Sequence, residues 1–173
     1  MKKVLILLAH PNYEASNSNR ALLEALPKDV QLTIHNIYEA YPDGQIDVER
    51  EQELLLDHDR IIIQFPTQWF NVPSLLKLWL DEVLTYGWAF GVEQGALVGK
   101  KMGIVTTTDG VKESYVKDSH YGFTVEEFLL PVIATIKYID ANYIGFVALN
   151  NAYGPTEQEV SEAVKQYVEL LKK

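Results

Sequence analysis

Val30-Gln31-Leu32-Thr33-Ile34-His35 alternates apolar and polar side chains, and the other strand candidates in the chain do not. Val4–Ala9, Ile61–Phe65, Met102–Thr106 and Tyr143–Leu149 are near-continuous apolar runs bounded by polar or turn residues. Continuous apolarity marks strands covered on both faces, as in a parallel sheet, whereas period-two alternation marks a strand with one wetter face. The alternating segment is therefore an edge strand, and it comes second in the chain. Helical periodicity fills the gaps between the runs, giving the order β-α-β-α-β-α-β-α-β-α. Such alternation predicts an α/β fold: a five-stranded parallel sheet with helices on both faces. With the second strand at an edge, the strand order is 2-1-3-4-5.

The helices carry their own signals. Arg20–Leu26 is a short amphipathic stretch, and Val48–Asp57 is acidic in its first turn, which suits a helix N-terminus. Asn71 is placed to cap a helix with Pro73 near its first turn, followed by Leu75, Leu76, Trp79, Leu80, Val83 and Leu84 at a 3.6-residue period. Thr124 with Glu127, and Thr156 with Glu159, are capping boxes. Pro131 lies within the helical pattern that Thr124 opens and should kink or split it. The last helix buries Val160, Ala163, Val164, Tyr167, Val168 and Leu171. No repeat, linker or low-complexity tract interrupts residues 1–173, which read as one domain.

Composition removes several function classes. At 173 residues and 47% hydrophobic content the chain is long enough to bury a core, and 23% charged residues is ordinary for a globular protein. Without cysteine there is no disulfide, zinc–thiolate site, iron–sulfur cluster or cysteine nucleophile, and no metal site is expected. A net charge of -9 makes nucleic acid a poor partner. The six-residue run after Lys2-Lys3 is too short for a signal peptide, and no apolar stretch approaches a membrane span. The expected location is the cytoplasm.

In open parallel sheets ligands bind beyond the carboxyl ends of the strands, where strand order reverses. Here the loops after strands one, three and four meet, and these three are the unusual ones. The first, His10 to Arg20, is rich in hydroxyls and amides and opens a helix, as a phosphate site does. It lacks GxxxxGK[ST] and GxGxxG. Read alone, Ser18 is as readily an ordinary N-cap. The second, Phe65 to Pro73, holds Trp69 and Phe70 stiffly between two prolines, where a flat ring could lie; alone, these aromatics read as core or dimer contacts. The third, Thr106 to Tyr115, offers three threonines, Asp109 and Gly110, followed by Lys117, His120 and Tyr121. A threonine run at a strand end is otherwise ordinary β-propensity. Together the loops suit one flat, anionic ligand.

The segments Ala9-His10-Pro11 with Ser16, Ser18 and Asn19, Phe65-Pro66-Thr67-Gln68-Trp69-Phe70-Asn71-Val72-Pro73, Tyr86-Gly87-Trp88-Ala89-Phe90-Gly91 and Thr106-Thr107-Thr108 resemble the NAD(P)H:quinone oxidoreductase family of flavodoxin-like flavoproteins. The likeness is nearest to its small bacterial members, which are ancillary to glutathione-gated potassium efflux. The resemblance implies that His10, Ser16, Ser18 and Asn19 hold a flavin phosphate. It implies that Pro66, Thr67, Gln68, Trp69 and Phe70 line the isoalloxazine, that Thr107, Thr108, Asp109 and Gly110 reach its pyrimidine side, and that Tyr115 and His120 serve catalysis beside the acceptor. It further implies FMN, with FAD the alternative, NAD(P)H as co-substrate, a quinone-like small molecule as acceptor, ping-pong turnover, a homodimer, and a membrane potassium efflux transporter as a partner.

The family often has Gly-Gly where this chain has Asp109-Gly110. A carboxylate aimed at the N1–C2 edge of reduced flavin would lower its potential, so the Asp109 side chain is expected to point away, leaving its backbone N–H toward the ring. Two rivals share the topology. A one-electron flavodoxin carrier opens with a glycine-containing Thr/Ser loop, which is absent here. A receiver-type signalling domain needs acidic residues at the first strand's end, where Leu8-Ala9-His10 stands. There is no GxSxG or HExxH to support hydrolytic chemistry.

Overall fold

A computed structural model describes residues 3–28 and 31–173. Val30, the first residue of the expected second strand, lies outside them. The strands are β1 (Val4–Leu8), β2 (Leu32–Asn36), β3 (Arg60–Pro66), β4 (Lys101–Thr107) and β5 (Asn142–Leu149), all parallel, in the order β2-β1-β3-β4-β5. Helices α1 (Ser18–Glu24) and α6 (Glu157–Lys172) cover one face; α3 (Val48–Leu56), α4 (Ser74–Val83) and α5 (Val125–Tyr138) cover the other, with a short α2 (Ile37–Ala40) after β2. This is the predicted flavodoxin-like arrangement.

Alternate side chains of the central strands feed two cores. Leu5, Leu7, Ile61, Ile63 and Phe65 pack with Leu76, Trp79 and Leu129, while Ile6, Leu8, Ile62 and Val105 pack with Leu22, Tyr167 and Leu170. Fully burying such side chains contributes about 1.5–3 kcal/mol each, and this fixes register, because a one-residue slip would swap the two cores. Gly103 sits where β4 and β5 slip register; a Cβ there would meet Leu170 Cδ2 at 3.0 Å and Ile62 Cδ1 at 3.1 Å.

Both capping boxes form, at Thr124–Glu127 and Thr156–Glu159. Pro131 neither splits α5 nor ends it; Thr135 Oγ1 donates back to the Pro131 carbonyl at 2.9 Å. Three expectations need correction. The helix expected from Arg20 starts at Ser18. Asn71 does not cap α4: its side chain accepts from the adjacent Val72 N–H at 2.8 Å, and Pro73 occupies the cap position, needing no donor of its own. β2 is an edge strand, but its polar side chains are not simply the wet ones. Ile34 is 52% exposed, whereas His35 and Thr33 turn toward α3 and bond Glu51 and His58. Among the described residues no helix is long and apolar enough to cross a membrane.

Candidate functional site

The loop after β1 is braced from behind. Arg20 donates to the Glu14 carbonyl at 3.0 Å and pairs with Glu24 at 3.2 Å, so its charge serves the loop rather than the cleft. The Asn12 N–H donates to His10 Nδ1 at 3.1 Å, which leaves Nε2 to carry the proton of the neutral ring. Burial lowers the His10 pKa, favouring that neutral form. Ser16 Oγ accepts from the Asn19 N–H at 3.1 Å and sets the start of α1, whose cap residue Asn17 makes no side-chain cap bond. Ser18 is therefore not the cap. It is the first helical residue, and its hydroxyl donates to the Ala152 carbonyl at 2.5 Å. Asn19 is buried: its amide donates to Thr107 Oγ1 at 2.9 Å, and its Oδ1 accepts from Gln64 at 3.1 Å. Tyr167 of α6 donates in turn to Gln64 Oε1 at 2.9 Å. A polar chain thus runs through the α1–α6 core into the floor of the site.

Strands β3 and β4 hold the second and third loops together. Thr67 N–H donates to the Thr107 carbonyl at 2.8 Å. Thr106 Oγ1 donates to the Phe65 carbonyl at 2.9 Å, so in the 2.9 Å pair with Thr67 Oγ1 it accepts. Beyond them Gln68 and Asn71 exchange backbone bonds of 2.8 and 2.9 Å, closing a turn with Trp69 at φ 49° and Phe70 at φ 57°. Left-handed backbone costs a bulky residue about 1–2 kcal/mol, and this turn adopts it twice in succession. The outcome is an aromatic lip. Trp69 is 95% exposed, and Phe70 leans edge-on to Tyr121 at 5.4 Å and Phe128 at 5.9 Å.

The loop after β4 is tied to the loop after β5. Thr108 N–H donates to the Leu149 carbonyl at 3.0 Å, the Ala152 N–H to Thr108 at 2.9 Å and the Asn151 N–H to Gly110 at 2.9 Å. The Gly110 N–H donates to Tyr115 Oη at 3.0 Å, which leaves that hydroxyl its own proton to give. Only a glycine permits this approach comfortably: a Cβ on residue 110 would stand 3.2 Å from both the Tyr115 hydroxyl and the Tyr121 ring.

Two pockets result, and they share Thr67, Gln68, Asp109 and Tyr153. The smaller, ≈ 240 Å³, is lined by His10, Ser16, Ser18, Asn19, Pro66 and Thr107 among others. The larger, ≈ 720 Å³, adds Trp69, Phe70, Tyr115 and Tyr121. A narrow cup of hydroxyl, amide and imidazole groups opening into a wide slot with aromatic edges has the outline of a phosphorylated chain joined to a flat ring. Among the described residues, no lysine or arginine lines either pocket. Grooves of ≈ 670 Å³ between α1 and α6 and ≈ 680 Å³ between α4 and α5 are as large, but the polar groups from three loops do not converge on them.

Most expected site residues meet here, and three do not line either pocket. Thr108 is buried and holds Asn150 Nδ2 at 2.7 Å, Gly110 lies behind Tyr115, and His120 is exposed, 6.0 Å from the Tyr121 ring. The fourth contributing loop, Asn150 to Gly154, was not anticipated. Its one available signal was Asn150-Asn151 at the end of an apolar strand, and Asn151 does take a left-handed φ of 57°.

Comparison with known proteins agrees with this geometry. A Bacillus subtilis (strain 168) protein named as an uncharacterized NAD(P)H oxidoreductase, YrkL, is 35% identical over 98% of both chains. The potassium-efflux ancillary protein KefF of Salmonella typhimurium is 36% identical over 97% of this chain and 94% of its own. Among solved structures, general stress protein 14 from Treponema denticola, in complex with FMN, superposes with a TM-score of 0.88 at 39% identity over 98% of both chains. A protein described as a thermophilic tryptophan halogenase from Streptomycin violaceusniger gives 0.90 at 38%, again over 98% of both, so one scaffold carries more than one named activity. Residues 2–171 match the flavodoxin-like fold family, and the chain belongs to it.

Proposed function

We propose that this chain is an FMN-dependent NAD(P)H oxidoreductase that passes hydride to a quinone-like acceptor. The observation that carries the reading is the seam between the two pockets, where a cup rich in hydroxyl and amide groups and an aromatic-lipped slot share Thr67, Gln68, Asp109 and Tyr153. His10, Ser16 and the backbone N–H groups at the start of α1 would hold the phosphate, with Ser18 and Asn19 fixing the wall behind them. Pro66 to Phe70 would line the ring, and Thr107 and Asp109 its pyrimidine side.

FMN held there would supply the two-electron hydride chemistry between nicotinamide and the second substrate. The chain's residues orient and shield. Trp69 and Phe70 present flat edges, and Thr67, just after β3, fixes the floor with Thr106 and Thr107 of β4. Tyr115 lines the slot with its hydroxyl proton uncommitted, which makes it the proton donor of this reading. His120 lines neither pocket and has no step in it. Nicotinamide and quinone would use the same slot in turn, nicotinamide leaving before the quinone enters.

A homodimer belongs to this reading. The groove between α4 and α5 shares Gln68 and Trp69 with the slot, and exposed Tyr86 and Tyr138 lie on the same side. A second copy there would bury the aromatic lip and wall the slot from water. The likeness to KefF extends the reading to a potassium-efflux transporter as partner in the cytoplasm, which co-purification with such a transporter would test.

The deciding experiment is anaerobic. The purified chain is loaded with FMN and mixed with NADH or NADPH, then with a benzoquinone. The expected result is loss of the oxidised-flavin absorbance followed by its return, with parallel double-reciprocal lines in steady state. A chain that takes up no FMN, or whose bound FMN neither nicotinamide reduces, overturns the reading; intersecting lines overturn the shared slot.

A further inference from the structure

Among the described residues Tyr153 alone lines the phosphate cup, the ring slot and the ≈ 670 Å³ groove between α1 and α6. Its side chain is 81% exposed, an unusual state for an aromatic at the meeting of three cavities. Its backbone, by contrast, is fixed from both sides. Before it, Ala152 donates to the Thr108 carbonyl at 2.9 Å and accepts from the Ser18 hydroxyl at 2.5 Å. Its own carbonyl accepts from Asn17 Nδ2 at 3.3 Å. After it, the Gly154 N–H donates to Asn151 at 3.1 Å and the Gly154 carbonyl accepts from Asn151 Nδ2 at 2.9 Å. A pinned main chain beneath a free ring leaves side-chain rotation as the cheap motion, and exposed side chains rotate in picoseconds to nanoseconds.

The site has a need such a ring would meet. Among the described residues the phosphate cup has no lysine or arginine in its wall; its titratable side chains are His10, Tyr153 and the exposed Asp109, whose carboxylate adds no attraction for an anion. Neutral donors hold a dianion well only where water is kept out, because the same dipoles are far weaker in a high dielectric. The ring that reaches cup, slot and outer groove can close over the seam and rest in the groove when open.

We propose that Tyr153 is a side-chain latch on the cofactor: its ring swings from the α1–α6 groove over the seam between the two pockets, covers the chain linking phosphate to ring, and sets how long FMN stays bound. This rests on FMN being the ligand of the joined pockets. The latch acts through the aromatic face and not through the hydroxyl, so phenylalanine should replace tyrosine and alanine should not.

The test follows FMN release from the loaded chain by the recovery of free-flavin fluorescence on dilution, in wild type, Tyr153→Phe and Tyr153→Ala. Tyr153→Ala is expected to release FMN about three- to tenfold faster, the worth of one aromatic stacking contact, while Tyr153→Phe stays within twofold of wild type. Because the side chain is exposed in the FMN-free chain, its melting temperature without FMN should not change. Release from Tyr153→Ala within twofold of wild type overturns the latch, and so does a Tyr153→Phe as fast as Tyr153→Ala. Failure of the wild-type chain to bind FMN is a different result, which overturns the proposed function first.

Discussion

Two carboxylates in this molecule sit under opposite regimes. Glu51, in α3, is fully buried, and its oxygens accept from Tyr41 at 2.5 Å, His35 at 2.7 Å and Trp79 Nε1 at 2.8 Å. Asp109 stands exposed at the lip shared by the two pockets. The first is surrounded by donors that reach nothing else of note, and the cluster ties β2, α3 and α4 into one block away from the cleft. The second lines both pockets where a ligand would lie and remains open to solvent. Burial with every oxygen satisfied marks structure; open, unsatisfied polarity where loops converge marks function. The same contrast separates the tryptophans, since Trp79 is buried against Glu51 while Trp69 stands in solvent on a left-handed turn.

The largest expected effect comes from breaking the buried side of the comparison. Glu51→Ala leaves the buried Tyr41 and Trp79 donors and the half-buried His35 without an acceptor and should cost about 3–5 kcal/mol, read by urea denaturation. Burial alone would raise the Glu51 pKa, but the hydrogen bonds from His35, Tyr41 and Trp79 outweigh it and hold the value below the ordinary carboxylate range. A lowered folded-state pKa means stability that is present above the unfolded value and lost as pH falls through the folded one. Wild type should therefore lose stability on acidification more steeply than Glu51→Gln. Equal slopes would show that folding leaves the Glu51 pKa unshifted, and a shallower loss in wild type would show that Glu51 is protonated in the folded chain.

Next in size is Asn19→Ala, which tests whether the cleft has a structural floor of its own. It removes the bonds to Thr107 and Gln64 inside the α1–α6 core and should cost about 2 kcal/mol. FMN affinity should fall with it, because Thr107 and the start of α1 lose their common brace. A chain destabilised to that extent yet binding FMN as before would mean that Asn19 belongs with Glu51, on the structural side.

The fold was legible because its signals are periodic and repeated. One alternating strand among continuous ones fixed the order, and Thr-x-x-Glu at two sites marked two helix starts. Asn71 misled because a nearer claim on its side chain, the adjacent Val72 N–H, is invisible in a linear pattern. Ile34 misled because the polar partners of β2, Glu51 and His58, lie in another element and draw the polar face inward. At the site the three loops were readable from composition. Tyr153 was not, since its place depends on how the β5–α6 connection folds back over α1. Gln64 had a signal that is clear in hindsight: one amide inside an apolar strand must find partners, and it finds Asn19 and Tyr167.

Trp69→Gly sharpens the contrast between the tryptophans. Relief of left-handed strain offsets the extra freedom of glycine in the unfolded chain, so stability should hold or rise by about 1 kcal/mol. Loss of the lip should raise KM for a quinone about three- to tenfold, the worth of one aromatic contact. A destabilised variant would show that the ring, though exposed in the single chain, packs against a second copy, which gel filtration would reveal as a dimer weakened by the substitution.

The smallest effect is expected at Asp109, and its smallness is informative. A carboxylate held in water at roughly 8 Å from a charged ring interacts by only about 0.5 kcal/mol. Removing it in Asp109→Asn should therefore raise the two-electron potential of bound FMN by only about 10 mV in a redox titration. Were the side chain turned into the site instead, the low dielectric there would magnify the same charge severalfold, and the potential would rise by about 50 mV or more. That larger shift would make Asp109 resemble Glu51 in its surroundings, with one difference: no ring of donors compensates it. A carboxylate so placed would be tolerated only if a low flavin potential were itself useful, which would argue for an acceptor harder to reduce than a quinone.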